Sequence, residues 1–208
     1  MIARENPFRS ERVEGMGYRQ AGFEWSELLG RAAEMKYRGA IVGPEGVGKT
    51  TLLEELGERL AEAGLCVRLV RLNNQVKLSW AELKREIIKE GGCDVLLLDG
   101  AEQMSRLMRY RLRSVTNKRK MGLIVTSHNE GMLPLLFECR TNEQLFFKLT
   151  WELLGETVSL SAVFTDRLYE RHGGNIREAL RELYDMWAEE SKPRSKAVGQ
   201  RYCSSRIF

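Results

Sequence analysis

The stretch that decides the fold is residues 43–50, which read Gly43-Pro44-Glu45-Gly46-Val47-Gly48-Lys49-Thr50. It matches the pattern G-x-x-x-x-G-K-[ST] of a phosphate-binding loop. Residues 39–42 before it are typical of a short buried strand, and residues 51–60 after it place their leucines on one helix face. The glycines allow backbone N–H groups to gather around phosphate oxygens, and the helix adds its positive N-terminal end. The sequence therefore predicts a site for a nucleoside triphosphate.

The residue types in this loop suggest a role for each polar side chain. We expect Lys49 to reach the β- and γ-phosphates and the Thr50 hydroxyl to ligate Mg²⁺. Thr51 follows at the start of the helix, and we include it with the loop among the nucleotide-binding residues. The expected ligands are ATP and Mg²⁺.

Two later apolar runs end in polar side chains. Residues 94–99 contain a continuous apolar run that closes with Asp99, as in a central parallel strand whose faces are both covered. Such a carboxylate, at the end of the sheet where ligands bind, is the expected partner of the loop for holding Mg²⁺. Residues 123–128 predict another strand, which ends in Thr126, Ser127 and His128 and directs them toward the γ-phosphate.

The order of these elements predicts an α/β fold. Residues 66–72 and 135–139 add two strands, and the β-α repetition predicts a doubly wound parallel sheet sandwiched by helices. The expected organisation is a lead-in segment, an ATPase core, a small helical lid and a mostly disordered basic tail. These parts span residues 1–28, 29–141, 142–190 and 191–208, respectively.

The lead-in segment contains several aromatic residues. Tyr18, Phe23 and Trp25 are loosely spaced, as expected of side chains that pack against the core. The alternative is that Tyr18 or Phe23 packs on the adenine base, which needs a flat apolar partner.

Composition limits the class of protein. A net charge of +4 is too small to indicate a nucleic-acid partner by itself, although its distribution matters. No apolar run approaches the length of a membrane span, and the first residues lack the apolar core of a secretion signal. The four cysteines are scattered without a C-x-x-C motif, which favours a cytoplasmic protein with free thiols.

Taken together, these motifs resemble those of the AAA+ ATPases, nearest to the initiator and transposition-regulator type. The resemblance rests on the loop at 43–50, the strand ending at Asp99, the polar strand end at 126–128, and Gly174-Asn175-Ile176-Arg177. The last is similar to the second sensor of that superfamily, in which an arginine at a helix start contacts the γ-phosphate. The resemblance thus implies that role for Arg177 and the first sensor's role for Ser127 or His128.

One position departs from the family pattern. Family members usually carry a Glu directly after the Asp that corresponds to Asp99, whereas this chain has Gly100, and its next carboxylate is Glu102. Glu102 either swings back to orient the attacking water or is a helix-start residue favoured by the dipole. If Glu102 does not orient water, we expect tight ATP binding with slow hydrolysis, as in a switch. Asn73 or Asn74 resembles the residue that restrains the catalytic Glu in many AAA+ proteins.

AAA+ sites usually form at subunit contacts, where one protomer lends an arginine to its neighbour. The resemblance therefore implies a homo-oligomer, and Arg140 is the first candidate for that arginine.

A basic stretch runs from residue 106 to residue 120 without an acidic residue. Its cations are Arg106, Arg109, Arg111, Arg113, Lys118, Arg119 and Lys120. Arg106, Arg109 and Arg113 share a helix face. The stretch is either a solvated face or a sequence-independent contact with the DNA backbone.

Two functions remain open at this point: a nucleotide-dependent switch acting on DNA, and a regulatory NTPase that binds only protein partners. A small-molecule kinase is a third class, but residues 174–177 do not resemble its arginine-rich lid. A GTPase is disfavoured because Asn117-Lys118-Arg119-Lys120 lacks the Asp that reads guanine.

Overall fold

The computed structural model describes residues 5–72, 79–88, 92–155 and 160–190. They divide into two compact units, one formed by Gly17–Arg140 and the other by Met1–Met16 with Thr141–Phe208. The described lead-in residues are thus shared between the two units, because those up to Met16 group with the C-terminal helices. The basic tail expected over 191–208 lies outside the described residues.

The first unit is built on a five-stranded sheet. Its strands are β1 (Arg38–Val42), β2 (Val67–Arg71), β3 (Val95–Asp99), β4 (Gly122–Ser127) and β5 (Leu135–Glu138). They pair in parallel in the order β2-β3-β4-β1-β5, which confirms the predicted parallel sheet. Because β4 lies between β1 and β3, its carboxyl end lies between the residues that follow β1 and those that follow β3.

Helices cover both faces of this sheet. In chain order the described helices are α1 (Ser10–Glu14), α2 (Trp25–Glu34), α3 (Lys49–Glu62), α4 (Trp80–Ile88), α5 (Arg106–Lys118), α6 (Glu143–Leu154), α7 (Ala162–Arg171) and α8 (Ile176–Glu190). On β3, Leu96 and Leu98 pack with the apolar residues of α4 and α5, whereas Val95 and Leu97 pack with those of α2 and α3. This alternation gives a three-layer sandwich with the sheet in the middle.

The second unit is helical. The apolar faces of α6, α7 and α8 share one core, to which Phe8 from the N-terminal segment contributes. Asn142 caps α6 by accepting from Leu145 N at 2.8 Å, and Asn175 caps α8 by accepting from Glu178 N at 3.1 Å. None of the helices in the described part of the chain combines the length and apolar character needed to cross a bilayer.

Candidate functional site

The loop at residues 43–48 connects the end of β1 to the first residue of α3. Gly46 and Gly48 have φ values of +77° and +88°, in the left-handed region that favours glycine. A Cβ at Gly43 would lie 2.7 Å from the Cys139 carbonyl oxygen, so a side chain does not fit there. The three glycines are therefore what lets the backbone curl between strand and helix.

Lys49 is the first residue of α3, and its side chain is buried inside the loop. Its Nζ donates to the Gly43 carbonyl oxygen at 2.8 Å and also to the Pro44 carbonyl oxygen. Burial lowers the pKa of Lys49, and among the charges that oppose this shift the carboxylate of Glu102 is the strongest. The loop thus holds an ammonium group where a phosphate chain would pass.

Asp99 faces the loop and is held by two hydroxyl groups. Thr50 Oγ1 donates to Asp99 Oδ2 at 2.9 Å, and Thr126 Oγ1 donates to Asp99 Oδ1 at 2.5 Å. Thr126 also accepts from Gly100 N at 2.8 Å and is 1% exposed. The role of Thr126 in orienting Asp99 was not predicted, although a polar residue in an otherwise apolar strand is the signal that could have revealed it.

Gly100 and the residues after it bring a second carboxylate to the same place. Gly100 has φ +85°, and the chain then makes a 3₁₀ turn over Ala101–Gln103. The Oε2 atom of Glu102 is buried, and no residue in the described ranges gives it a hydrogen bond. The Oε1 atom lies 3.7 Å from His128 Nε2. Glu102 therefore has an unused acceptor oxygen and lies near Lys49.

Arg109 is hydrogen-bonded to this 3₁₀ turn. Its Nη2 donates to the Glu102 carbonyl oxygen at 3.0 Å, and the residue is half-buried. This contact corrects the expectation that Arg109 belongs with Arg106 and Arg113 in an exposed basic surface, because the guanidinium group folds back onto its own chain. Arg106, Arg113 and the residues at 118–120 are exposed.

The remaining candidates lie in different surroundings. Ser127 is buried and its Oγ accepts from Asn129 N at 3.3 Å, whereas His128 is exposed. Arg140 is exposed, and its Nη2 lies 2.6 Å from Glu138 Oε2. Arg177 is an exposed residue in the first turn of α8, in the helical unit. Asn73 and Asn74 lie outside the described residues.

The aromatic residues before β1 form part of the core. Tyr18 is 7% exposed and packs edge-on against Phe23 and Phe137, with ring centroids 5.1 and 6.1 Å away. Its ring also lies against the loop, 3.2 Å from where a Cβ of Gly48 would be. The Tyr18 ring thus packs against the phosphate-binding loop. Burial raises the pKa of the Tyr18 hydroxyl.

These groups fit a magnesium nucleotide. The Thr50 hydroxyl and the Asp99 carboxylate are neighbouring oxygen donors, the kind that Mg²⁺ prefers. The glycine-dependent loop supplies backbone N–H groups and a helix N-terminus for phosphate oxygens. The residues that could hold the metal are therefore Thr50 and Asp99, with the loop holding the phosphates.

A glycine-rich loop between β1 and α3, faced by an Asp at the end of a strand two places away, defines the class of P-loop nucleoside triphosphatases. Within that class, residues 34–125 match the family model described as AAA domain. This match and the fold both agree with the resemblance to the AAA+ P-loop ATPases that the sequence shows.

Several solved structures share this fold. The replication initiator DnaA bound to AMPPCP and single-stranded DNA is 18% identical with a TM-score of 0.57, and the match covers 86% of this chain and 66% of that one. AMPPCP-bound DnaA from Aquifex aeolicus gives 18% identity, a TM-score of 0.57 and coverage of 88% and 67%. The Thermotoga maritima RuvB Holliday junction branch migration motor is 16% identical with a TM-score of 0.56, and the match covers 88% of this chain and 64% of that one.

The match therefore spans about two thirds of the length of each of these structures. At such low sequence identities, the similarity shows only that the fold is shared. No protein of curated function matches the sequence.

Proposed function

We propose that the chain binds ATP with Mg²⁺ and hydrolyses it slowly, as a nucleotide-dependent switch. The observation that carries this proposal is the meeting of three groups beside one loop: the Lys49 ammonium, the Thr50–Asp99 pair at 2.9 Å, and the Glu102 carboxylate. The triphosphate lies in the loop of residues 43–50, with Thr51 at its helical end. Lys49 contacts the β- and γ-phosphates, and Thr50 and Asp99 hold the metal.

Glu102 is the group that orients the attacking water. Its Oε2 atom accepts no hydrogen bond from the described residues, so it is available to a water molecule. The carboxylate also lies near Lys49, which in this proposal contacts the γ-phosphate. Mg²⁺, when bound, offsets negative charge on the phosphate oxygens. By the resemblance, Ser127 or His128 takes the first sensor's role and Arg177 takes the second sensor's. Turnover is slow because the carboxylate is carried on a 3₁₀ turn instead of directly following Asp99.

The second part of the proposal is association with DNA. We define the α5 basic surface as Arg106, Arg113, Lys118, Arg119 and Lys120, all of which are exposed. Such clusters neutralise backbone phosphates without reading sequence. A structure that shares the fold, DnaA, is bound to single-stranded DNA, which supports a nucleic-acid partner.

A second candidate function is a regulatory NTPase that binds only protein. Leu107 and Tyr110, on the same helix, are 57% and 71% exposed. An exposed apolar pair beside cations also suits an acidic protein partner. Binding of a DNA duplex across a salt series separates the two candidates, because only a phosphate contact gives the linear loss of log affinity with log salt.

The test of the ATPase proposal compares Glu102→Gln with Lys49→Ala. Glu102→Gln removes the general base, so we expect turnover to fall by about a hundredfold or more with ATP affinity unchanged. Lys49→Ala removes a charged phosphate contact, so we expect ATP affinity itself to fall by about a hundredfold. Calorimetric titration and single-turnover hydrolysis separate the two effects.

Glu58 is an exposed residue of α3, so Glu58→Gln is the matched control for the loss of one carboxylate. Unchanged turnover in Glu102→Gln would reduce Glu102 to a helix-start residue. Unchanged ATP affinity in Lys49→Ala would refute the site as a whole.

A further inference from the structure

A cavity of about 370 Å³ lies at the end of the sheet where β1 begins. It is lined by Met35, Arg38, Arg113, Asn117, Leu133 and Pro134. Since β1 runs from Arg38 to Val42 before entering the phosphate-binding loop, the cavity and the loop lie at opposite ends of the strand. We refer to it as the Arg38–Arg113 notch.

Arg38 is fixed in the notch by hydrogen bonds to α5 and to the turn that follows it. Its Nη1 donates to the Met121 carbonyl oxygen at 2.8 Å, and both Nη1 and Nη2 donate to Thr116 Oγ1 at 3.4 Å. These contacts hold the guanidinium plane, which reduces the entropy lost when it binds an anion.

The notch carries positive charge that its own surroundings leave unbalanced. Burial lowers the pKa of Arg38, and the nearby positive charge of Arg113 lowers it further. In the described ranges no carboxylate forms an ion pair with either guanidinium group. Two like charges on one cavity repel each other, and an anion between them converts that repulsion into two attractions.

More cations surround the notch on two adjacent turns. Lys120 N donates to the Asn117 carbonyl oxygen, so the turn of residues 118–120 directly follows the notch residue Asn117. The other turn contains Lys36 and Tyr37. A Cβ on Gly122, the first residue of β4, would lie 2.7 Å from Tyr37 Cβ, so this turn lies beside the start of β4.

The backbone of these turns is also unusual. Among the described residues other than glycine, a positive φ occurs at Lys36, Tyr37 and Lys120, each at 55°. Non-glycine residues rarely adopt this conformation, and sites of binding are where it is often maintained.

We propose that the Arg38–Arg113 notch is a seat for one phosphate of a nucleic-acid backbone. The inference rests on the DNA association proposed above and assigns to it a particular contact. Guanidinium groups match phosphate oxygens with paired donors, and the Asn117 amide adds a further donor. Met35, Leu133 and Pro134 form the apolar part of the lining beside these donors. The lysines of the two turns bind the neighbouring phosphates of the same strand.

The test measures the affinity of the full chain for a 20-base-pair duplex across a salt series, with the phosphate-binding loop saturated by a non-hydrolysable ATP analogue. Arg113→Gln is the main variant because Arg113 is exposed, so its loss leaves the fold intact. Arg111→Gln is the matched control, since residue 111 is also exposed but lies on the other flank of α5 by helical spacing. Arg38→Lys keeps the charge and removes the paired donors.

We expect Arg113→Gln to weaken duplex binding about tenfold and to reduce the slope of log affinity against log salt by about 0.9, the share of one phosphate. Arg38→Lys should weaken binding with the slope unchanged, and Arg111→Gln should stay within about twofold of the parent chain. Equal losses in Arg113→Gln and Arg111→Gln would overturn the notch while leaving the DNA association standing.

Two further outcomes separate the levels of the proposal. Binding of poly-glutamate by the parent chain, without binding of the duplex, would overturn the notch and the DNA association together and favour an acidic protein partner. The affinity for the ATP analogue, measured in the same samples, reports on the nucleotide site independently of both.

Discussion

At the scale of single residues, Gly100 determines where the next carboxylate after Asp99 lies, the one that we propose orients water. A Cβ at this position would lie 2.9 Å from the Leu72 carbonyl oxygen and 3.2 Å from Gln103 Nε2, and φ is +85°. A side chain directly after Asp99 is therefore excluded on steric and conformational grounds. The same left-handed residue turns the chain into the 3₁₀ turn that carries Glu102 toward Lys49.

Gly100→Ala should destabilise the protein by about 2–3 kcal/mol, since it combines an unfavourable φ with a contact to a backbone oxygen. Gly64→Ala is the control: Gly64 has φ +89°, but nothing lies within 4 Å of the place where its Cβ would be. The control should lose only about 1 kcal/mol, the cost of the φ angle. Urea unfolding of the two variants measures the difference, and equal losses would refute the steric contribution.

At the scale of elements, the helix starts were the most predictable features. Asn175 is recognisable in the sequence as a cap, and the helical pattern begins at Asn142; both asparagines accept from a backbone N–H three residues on. Ser79 and Glu82 have the spacing of a capping box, and Glu82 Oε2 accepts from Ser79 N at 2.8 Å. The strands were predictable for the same reason, since each apolar run is local.

Asn142→Ala should cost about 1 kcal/mol of stability in the helical unit, because it removes the bond to Leu145 N. Ser161→Ala is the comparison, since Ser161 precedes α7 without a side-chain capping bond. Its loss should be a few tenths of a kcal/mol or less, about the effect of an ordinary surface substitution. Thermal unfolding followed by circular dichroism tests this, and a larger effect at Ser161 would contradict it.

At the scale of the whole molecule, the sequence predicted which segments form the sheet but not their order. The insertion of β4 between β1 and β3 joins residues more than twenty positions apart, for which no local pattern exists. Arg109 illustrates the same limit, because helical spacing placed it beside Arg106 and Arg113 without showing that its guanidinium group folds back to Glu102. Contacts between residues far apart in sequence, and the directions of long side chains, can be read only from the three-dimensional structure.

Assembly gives a prediction at this scale. If Arg140 of one protomer completes the site of its neighbour, Arg140→Ala should lower ATP turnover by on the order of 10³ and leave ATP affinity unchanged. Mixing Arg140→Ala with Lys49→Ala chains should then restore hydrolysis, since one variant supplies an intact loop and the other an intact arginine. A mixture no more active than the sum of its parts would show that sites are not shared.

The two hydrogen bonds of Thr126 have a consequence for the proposed magnesium site. A hydroxyl has one proton to donate, and Thr126 gives its proton to Asp99 while its lone pair receives Gly100 N–H. Thr126 is thereby locked, whereas Thr50 contacts Asp99 through a single donated proton. If Mg²⁺ binds at the proposed site, rotation of the Thr50 hydroxyl would turn its proton away and present a lone pair to the metal. The strands and Asp99 would already be in position, so this one rotation would be enough.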